Sequence, residues 1–175
     1  LTYFYYPYMN KDKLIKNQSV REDLENTTDN AQITTFESVE YEGLYDLDKT
    51  FSVKSESAYI LDEDPDLVFM KTMMVKIYLN DGRIVSIISD FGRYHKESHD
   101  CWFEKNVIVN DGETKIFAEN LDLLATEKFV KIYNKVRLNN PTGSLQADQI
   151  DYDFETKYLK VSMFDDKVVK MKIAE

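Results

Sequence analysis

An elongated all-β fold of repeated antiparallel strands is what this sequence predicts, on three observations. A strand pattern recurs about every thirty residues between Phe51 and Val161, with Gly82, Gly112 and Gly143 each opening a short extended segment. Four small residues, Ser55, Ser89, Ala118 and Ala147, recur inside the pattern. Each is followed three and five places later by mostly apolar or aromatic residues: Ala58 and Ile60, Gly92 and Tyr94, Leu121 and Leu123, Ile150 and Tyr152. Such self-similarity stacks one supersecondary unit repeatedly, so that neighbours bury a face no single unit could bury. Composition agrees: 12 Tyr and 10 Phe stand against 5 Gly and 3 Pro, and β-branched residues alternate with charged ones.

The elements follow in order. Residues 1–8, LTYFYYPY, are dense in aromatics and run into the polar MNKDKLIKNQ. Tyr and Phe at that density fit the interfacial end of a membrane span whose apolar body lies upstream; the competing reading is an N-terminal strand, unstructured or packed on the core. Residues 11–30, with Leu14, Ile15, Val20 and Leu24 at loose helical spacing, read as a short helix or an irregular tether. The chain thus divides into a juxtamembrane segment and tether over 1–30 and one β domain over 31–175. Extended segments are expected over 34–44, 50–61, 68–80, 83–95, 101–110, 114–124, 129–139, 144–154, 158–164 and 168–174. Turn chemistry separates them: Asp46 to Lys49, Asp62 to Asp66 around Pro65, Asn80-Asp81-Gly82, Asn110-Asp111-Gly112, and Asn140-Pro141-Thr142-Gly143. Every connection is short, so sequential antiparallel pairing is the simplest topology.

Alternation assigns the faces, because successive strand side chains point to opposite sides. The return strands gather Leu67, Phe69, Met73, Val75 and Ile77, then Cys101, Phe103, Val107 and Val109, then Val130, Ile132, Val136 and Leu138, then Leu159, Val161 and Met163. Lys76, Glu104, Lys131 and Arg137 mark the opposite face. The outgoing strands add Phe51, Val53, Val85, Ile87, Thr114, Ile116 and Leu145, each leading to its small Ser or Ala. The two-place rhythm shifts after the small residue, which predicts a bulge or bend there. Bent strands with one apolar side make a trough or flattened tube, and its inside is either a self-filled core or a site for something greasy.

Charge and cysteine usage exclude several classes. With a formal net charge of -10 and no Lys/Arg cluster, a phosphate backbone would meet net repulsion, so nucleic acid is not a partner. The single cysteine, Cys101, excludes an internal disulfide framework. There is no G-x-S-x-G, H-E-x-x-H or phosphate-cradling Gly-rich loop, and the two histidines share one turn, so no enzyme and no cofactor is expected. His95, His99 and Cys101 have zinc-ligand spacing, but a fourth ligand cannot be named; a solvated turn with Cys101 on the apolar face is the stronger reading. Asp62, Glu63, Asp64 and Asp66 lack the glycine and spacing of a calcium loop, so no metal is expected there either.

Three stretches carry a resemblance: DEDPDLVFMKTMMVKIYLNDGRIVSIISDFGRYHKE, CWFEKNVIVNDGETKIFAENLDLL and NPTGSLQADQIDY. A DPDLV-like loop, a DG turn, a small residue leading to G-x-Y, and the return strand Asn106-Val107-Ile108-Val109 resemble the LptC family of periplasmic lipopolysaccharide-export proteins. That family lies within the OstA-like β-jelly-roll group. Lys105 stands where the family's pattern has glycine. The resemblance covers about Thr34 to Val161, and sister jelly rolls, including the soluble periplasmic bridge protein, are its nearest competitors.

The resemblance implies a twisted β-jelly roll with an apolar groove. It would be held at the periplasmic side of the bacterial inner membrane by an N-terminal single-pass anchor, and would accept lipopolysaccharide from an inner-membrane ABC transporter. Lipid A acyl chains would lie against Val53, Phe69, Met73, Val85, Ile87, Tyr94, Phe103, Val107, Ile116, Leu121, Leu123, Ile132, Leu145 and Tyr152. Transporter subunits with periplasmic jelly rolls would dock on the first strand, at Thr35, Phe36 and Val39. The soluble bridge protein would dock on the last, at Val168, Val169, Met171 and Ile173. Open strand edges also permit self-association. The alternatives are a soluble bridge jelly roll of the same group and a structural β-repeat protein with no lipid ligand. A lipid-sized groove favours transport, a filled core favours a scaffold, and a polar cleft with converging carboxylates favours an enzyme.

Overall fold

The computed structural model describes residues 33–45, 49–156, 158–165 and 167–173. The expected tether over 1–30 and the turn at 46–48 lie outside them. All described elements are strands: β1 (Ile33–Tyr45), β2 (Lys49–Leu61), β3 (Asp64–Tyr78), β4 (Ile84–His95), β5 (Cys101–Asp111), β6 (Thr114–Leu124), β7 (Phe129–Asn140), β8 (Gly143–Asp153), β9 (Leu159–Ser162) and β10 (Lys170–Ile173). They form one twisted, unclosed antiparallel sheet in the order β1-β2-β3-β4-β5-β6-β7-β8-β10, with β9 also on β8. No helix among the described residues is long and apolar enough to cross a membrane.

The turns follow from local chemistry. Gly112 takes a positive φ of 60° in the two-residue turn between Asp111 and Thr114, and Gly82 one of 85° at the end of the three-residue loop between Leu79 and Arg83. The β2–β3 turn is tighter than expected: it holds only Asp62 and Glu63, and Pro65 lies inside β3. Leu61 pairs with Asp64 across an irregularity next to this proline, which supplies no ladder donor.

A bend crosses the whole sheet, at the small residues. Ser55, Ser89, Ala118 and Ala147 are all buried there, one in each of β2, β4, β6 and β8. In β1, β3, β5 and β7 the same line is turned by residues at positive φ: Ser38, Thr72, Lys105-Asn106 and Asn134-Lys135. The small residue is a steric requirement, since the concave side of a bend leaves no room for a branched side chain. On the convex side each small residue is followed by an acid that accepts a hydrogen bond. Thr72 Oγ1 donates to Glu56 at 3.0 Å, Asn106 Nδ2 to Asp90 at 2.7 Å, and the Phe164 amide to Asp148 at 2.7 Å, while Lys135 pairs with Glu119 at 3.3 Å.

The bend folds the sheet into two limbs. The first holds the leading halves of β2, β4, β6 and β8, the trailing halves of β1, β3, β5 and β7, and β10; the second holds the remaining halves and β9. Contacts across the fold prove the closure. Tyr41 of β1 and Tyr94 of β4 lie three strands apart in the sheet, about 14 Å if it were flat, yet their ring centroids are 5.3 Å apart.

Alternation held in most strands and failed in β3. In β5 and β7 two left-handed residues turn the corner opposite one residue of β6 or β8, so Phe103 and Val107, like Ile132 and Val136, stay on one face. In β3 Thr72 turns it alone, which flips the parity. Val68 and Met70 are therefore the buried residues ahead of Met73 and Val75, while Leu67 and Phe69 stand on the outer face. Lys105, at φ 63°, sits in the left-handed region that the resembled pattern's glycine would fit without strain.

The last strands also differ from the expectation of purely sequential pairing. β9 pairs with the trailing half of β8 and β10 with its leading half, so both lie on one edge, on opposite sides of the bend. The hydrogen bond from Phe164 to Asp148 anchors their connection at the corner.

Candidate functional site

The space between the limbs is lined by cross-strand apolar rows. On the first limb one row reads Tyr41, Val53, Val75, Ile87, Val109, Ile116, Leu138, Leu145 and Met171, each paired with the next. On the second limb a row reads Ile60, Val68, Tyr94, Cys101, Leu123, Val130, Tyr152 and Leu159. A row closer to the bend joins Ala58, Met70, Gly92, Phe103, Leu121, Ile132, Ile150 and Val161.

Burial along the first two rows is graded. On the first limb it is partial at Tyr41 and complete at Val53, falls to partial again at Ile116, Leu138 and Leu145, and ends at Met171, 66% exposed. On the second limb Tyr94 and Cys101 are buried, Val130 is partly buried, and Leu159 is 52% exposed. The row closer to the bend stays buried through Ile132 and Ile150. The interior is thus filled by its own side chains over β2–β6 and, beside the bend, as far as β8, and it opens away from the bend toward the β9/β10 edge.

The filled end is held by close contacts. A Cβ on Gly92 would collide with Met73 Sδ and come within 2.9 Å of the Trp102 carbonyl, so only glycine lets β3 and β4 close at the bend. Farther out, Tyr41, Phe51, Tyr94 and His99 form a ring cluster, with Phe51 and His99 centroids 5.2 Å apart. Tyr94 Oη and His99 Nδ1 share a hydrogen bond of 2.9 Å. Burial lowers the His99 pKa from 6.5 and raises those of Tyr94 and Cys101, so all three favour the neutral state. At the opposite end a Cβ on Gly143 would strike the Lys172 carbonyl oxygen, so glycine there lets β10 approach β8.

The expected groove residues divide accordingly. Val53, Met73, Ile87, Tyr94, Phe103, Val107, Leu121, Leu123 and Ile132 are buried, while Val85, Ile116 and Leu145 are partly buried against them. Tyr152 is half-buried and meets Phe154 edge to face at 5.1 Å. Phe69 is the exception, since it stacks on Tyr59 outside, with centroids 4.7 Å apart. Val68 and Met70 take the place expected for it, and the single left-handed residue that decides this leaves no composition signal. The acid after each small residue was also missed, although Ser-Glu, Ser-Asp, Ala-Glu and Ala-Asp recur visibly at 55, 89, 118 and 147.

Thr35, Phe36 and Val39 lie on β1, which pairs only with β2 among the described residues. At the other edge Met171 and Ile173 belong to β10, but Val168 and Val169 precede it and form no ladder. The His and Cys residues diverge. His95 Nδ1 accepts from the Ser98 amide, His99 meets Tyr94, and Cys101 Sγ lies 3.7 Å from the His99 carbonyl oxygen. No group of three metal-ligating side chains gathers among the described residues. Asp62 and Glu63 form a turn, while Asp66 pairs with Lys96 at 3.7 Å.

Comparison with known proteins supplies the wider context. A family model described as lipopolysaccharide-assembly, LptC-related, matches residues 5–163. Among solved structures the chain is similar to LptH, the LptA-homologous periplasmic component of the lipopolysaccharide transport device of Pseudomonas aeruginosa. The TM-score is 0.54 at 13% identity, over 71% of this chain and 95% of that one. No curated protein matches. The shared fold is the LptA-like jelly roll. A family match over most of the sequence, joined to this bent ten-stranded sheet, makes the chain a member of the LptC-related family of lipopolysaccharide-assembly proteins.

Proposed function

We propose that this chain relays lipopolysaccharide through the periplasm, from an inner-membrane ABC transporter to a soluble bridge protein. The lipid A acyl chains would enter between the limbs. The carrying observation is the graded interior, whose apolar rows run through the core and continue, progressively exposed, to Met171 and Leu159. A row that ends in solvent continues naturally into the apolar interior of a second jelly roll. Acyl chains entering there gain about 0.8 kcal/mol per buried CH₂, so several chains outweigh the repulsion between lipid phosphates and an acidic protein. Because the interior over β2–β6 is already filled, the limbs must part, starting from the β7–β10 side, where the row residues are least buried.

In this reading the side of β1 away from β2 pairs with a transporter jelly roll and the β9/β10 edge with the bridge protein, by strand addition. An anchor preceding the described strands would hold the domain at the inner membrane. Photoreactive residues at Ile116, Leu145 and Tyr152 are expected to crosslink to lipopolysaccharide, whereas those at Glu104 and Lys131, on the outer face, are not. Equal labelling of both sets rejects the interior as the lipid site.

A further inference from the structure

The two outer faces of the bent sheet differ in charge in a way that net composition hides. On the second limb the outward positions from β3 to β9 carry Lys71, Arg93, Lys131 and Lys160 against Glu104, Asp122, Asp151 and Asp153. Arg93 reaches Glu104 at 3.4 Å, and Tyr133 Oη donates to Asp122 at 3.3 Å. That face is balanced. On the first limb, between the hairpin tips and the bend line, the outward positions of β2–β8 and β10 carry six cations and, among the described residues, no carboxylate.

The cations are arranged around an apolar strip. Met74, Ile88, Ile108 and Phe117 are paired side by side across four strands, with Lys54 continuing the row at one end and Arg137 at the other. This row spans about 24 Å at the usual strand spacing. Ile108 is 37% exposed, and Arg137 lies over the Phe117 ring at 5.6 Å. The next row outward carries Lys76, Lys115 and Lys172, spaced by Ser and Asn, and Lys170 completes the set. Acids border this face at its margins: Glu40 pairs with Lys54 at 2.7 Å on β1, Asp81 and Asp111 hold Arg83 at 2.7 and 3.0 Å at the hairpin tips, and Glu56, Asp90, Glu119 and Asp148 line the bend, each bound to its own partner.

In a chain of net charge -10 this segregation gives one face a sign opposite to the whole. We infer that the outer face of the first limb docks on the surface of an anionic lipid bilayer. Lysine and arginine reach the phosphates, and the Met74–Phe117 strip rests at the headgroup boundary. The acids of the second limb do not prevent this. Packed sheets stand about 10 Å apart, so those acids lie beyond roughly one screening length, 8–10 Å at physiological salt. An acidic protein would satisfy the charge but would leave the apolar strip without a role unless it offered a matching apolar patch, and a bilayer supplies both. The inference rests on this face alone and is independent of what enters the interior.

The test is vesicle co-sedimentation of the full chain, using phosphatidylcholine with about one-third phosphatidylglycerol against pure phosphatidylcholine. Binding to the anionic vesicles only is expected, lost when salt rises from ~0.05 M to ~0.5 M. The triple variant Lys76→Gln, Lys115→Gln, Arg137→Gln is expected to weaken binding by roughly a hundredfold, at about fivefold per cation near such a surface. Lys71→Gln, Lys131→Gln, Lys160→Gln changes net charge equally on the other face and is expected to stay within about twofold. Thermal melting of both triples checks that they fold. Equal losses in the two triples, or no preference of the parent chain for anionic vesicles, overturns the inference. So does capture by an acidic protein without any vesicle binding.

Discussion

The two ends of the interior are made of the same residue classes in the same pattern and behave differently. From β2 to β6 the limbs meet: Met73 fills the space over Gly92, and Tyr41, Phe51, Tyr94 and His99 close the side away from the bend. From β7 to β10 the interior stays covered beside the bend, at Ile132 and Ile150, but away from it the rows continue with Leu138, Leu145, Tyr152 and Leu159, which the short final strands do little to cover. The difference teaches that the apolar pattern alone does not decide between core and binding surface. What decides is whether an opposing limb is present, and at the last edge only two four-residue strands remain.

The comparison breaks most visibly in the core. Phe103→Ala is expected to cost about 4 kcal/mol, whereas Leu159→Ala, at the open end, should stay within about 0.5 kcal/mol; urea unfolding measures both. Similar costs at both sites would erase the distinction. Gly92→Val should cost about 3 kcal/mol, because Met73 and the Trp102 carbonyl cannot both retreat. Its counterpart Gly143→Ala should leave the melting of β2–β6 nearly unchanged while releasing β10, read as faster amide exchange at 170–173.

Within β3 the parity flip gives a finer test. Met70→Ala is expected to cost about 3 kcal/mol as a buried deletion, against about 1 kcal/mol for Phe69→Ala, which loses a stacked pair on the outside. The reverse order would restore the uniform alternation. At the β5 corner, Lys105→Gly should raise stability by up to about 1 kcal/mol by relieving left-handed strain. Loss of the Lys105 contact with the Phe91 ring, 5.1 Å away, offsets part of that gain.

The smallest effect concerns pH at the closed end. Burial lowers the folded pKa of His99 below 6.5, so the unfolded chain takes up the proton first. Stability from this group is complete above about pH 6.5 and falls as pH drops toward the lowered folded value. Urea midpoints at about pH 7.5 and about pH 5.5 should therefore differ less in His99→Asn than in the parent, asparagine being tolerant of the φ of 62° there. An unchanged difference would place the titration elsewhere.

Most of the strand plan was legible because it rests on local chemistry. Asn80-Asp81-Gly82 and Asn110-Asp111-Gly112 fix tight turns, and the small residues at 55, 89, 118 and 147 announce a bend wherever a larger side chain would not fit. Phe103, Leu121, Leu123 and Ile132 were legible as interior residues because their strands keep step with the simple alternation. Phe69 was not, since whether one or two residues turn a corner depends on φ values that Thr72 and Lys105-Asn106 do not advertise. The shared edge of β9 and β10 was also hidden, because it depends on a backbone-to-side-chain bond between Phe164 and Asp148, sixteen residues apart.

The sequence by itself determined an all-β chain, its turns, its bend line and the family to which it belongs, because each is written in residues close along the chain. Only the tertiary structure decided which rows are sealed and which stay open, and that six cations gather on the outer face of one limb. Those properties arise when strands far apart in sequence are set in register, and one left-handed residue shifts a whole strand between inside and outside.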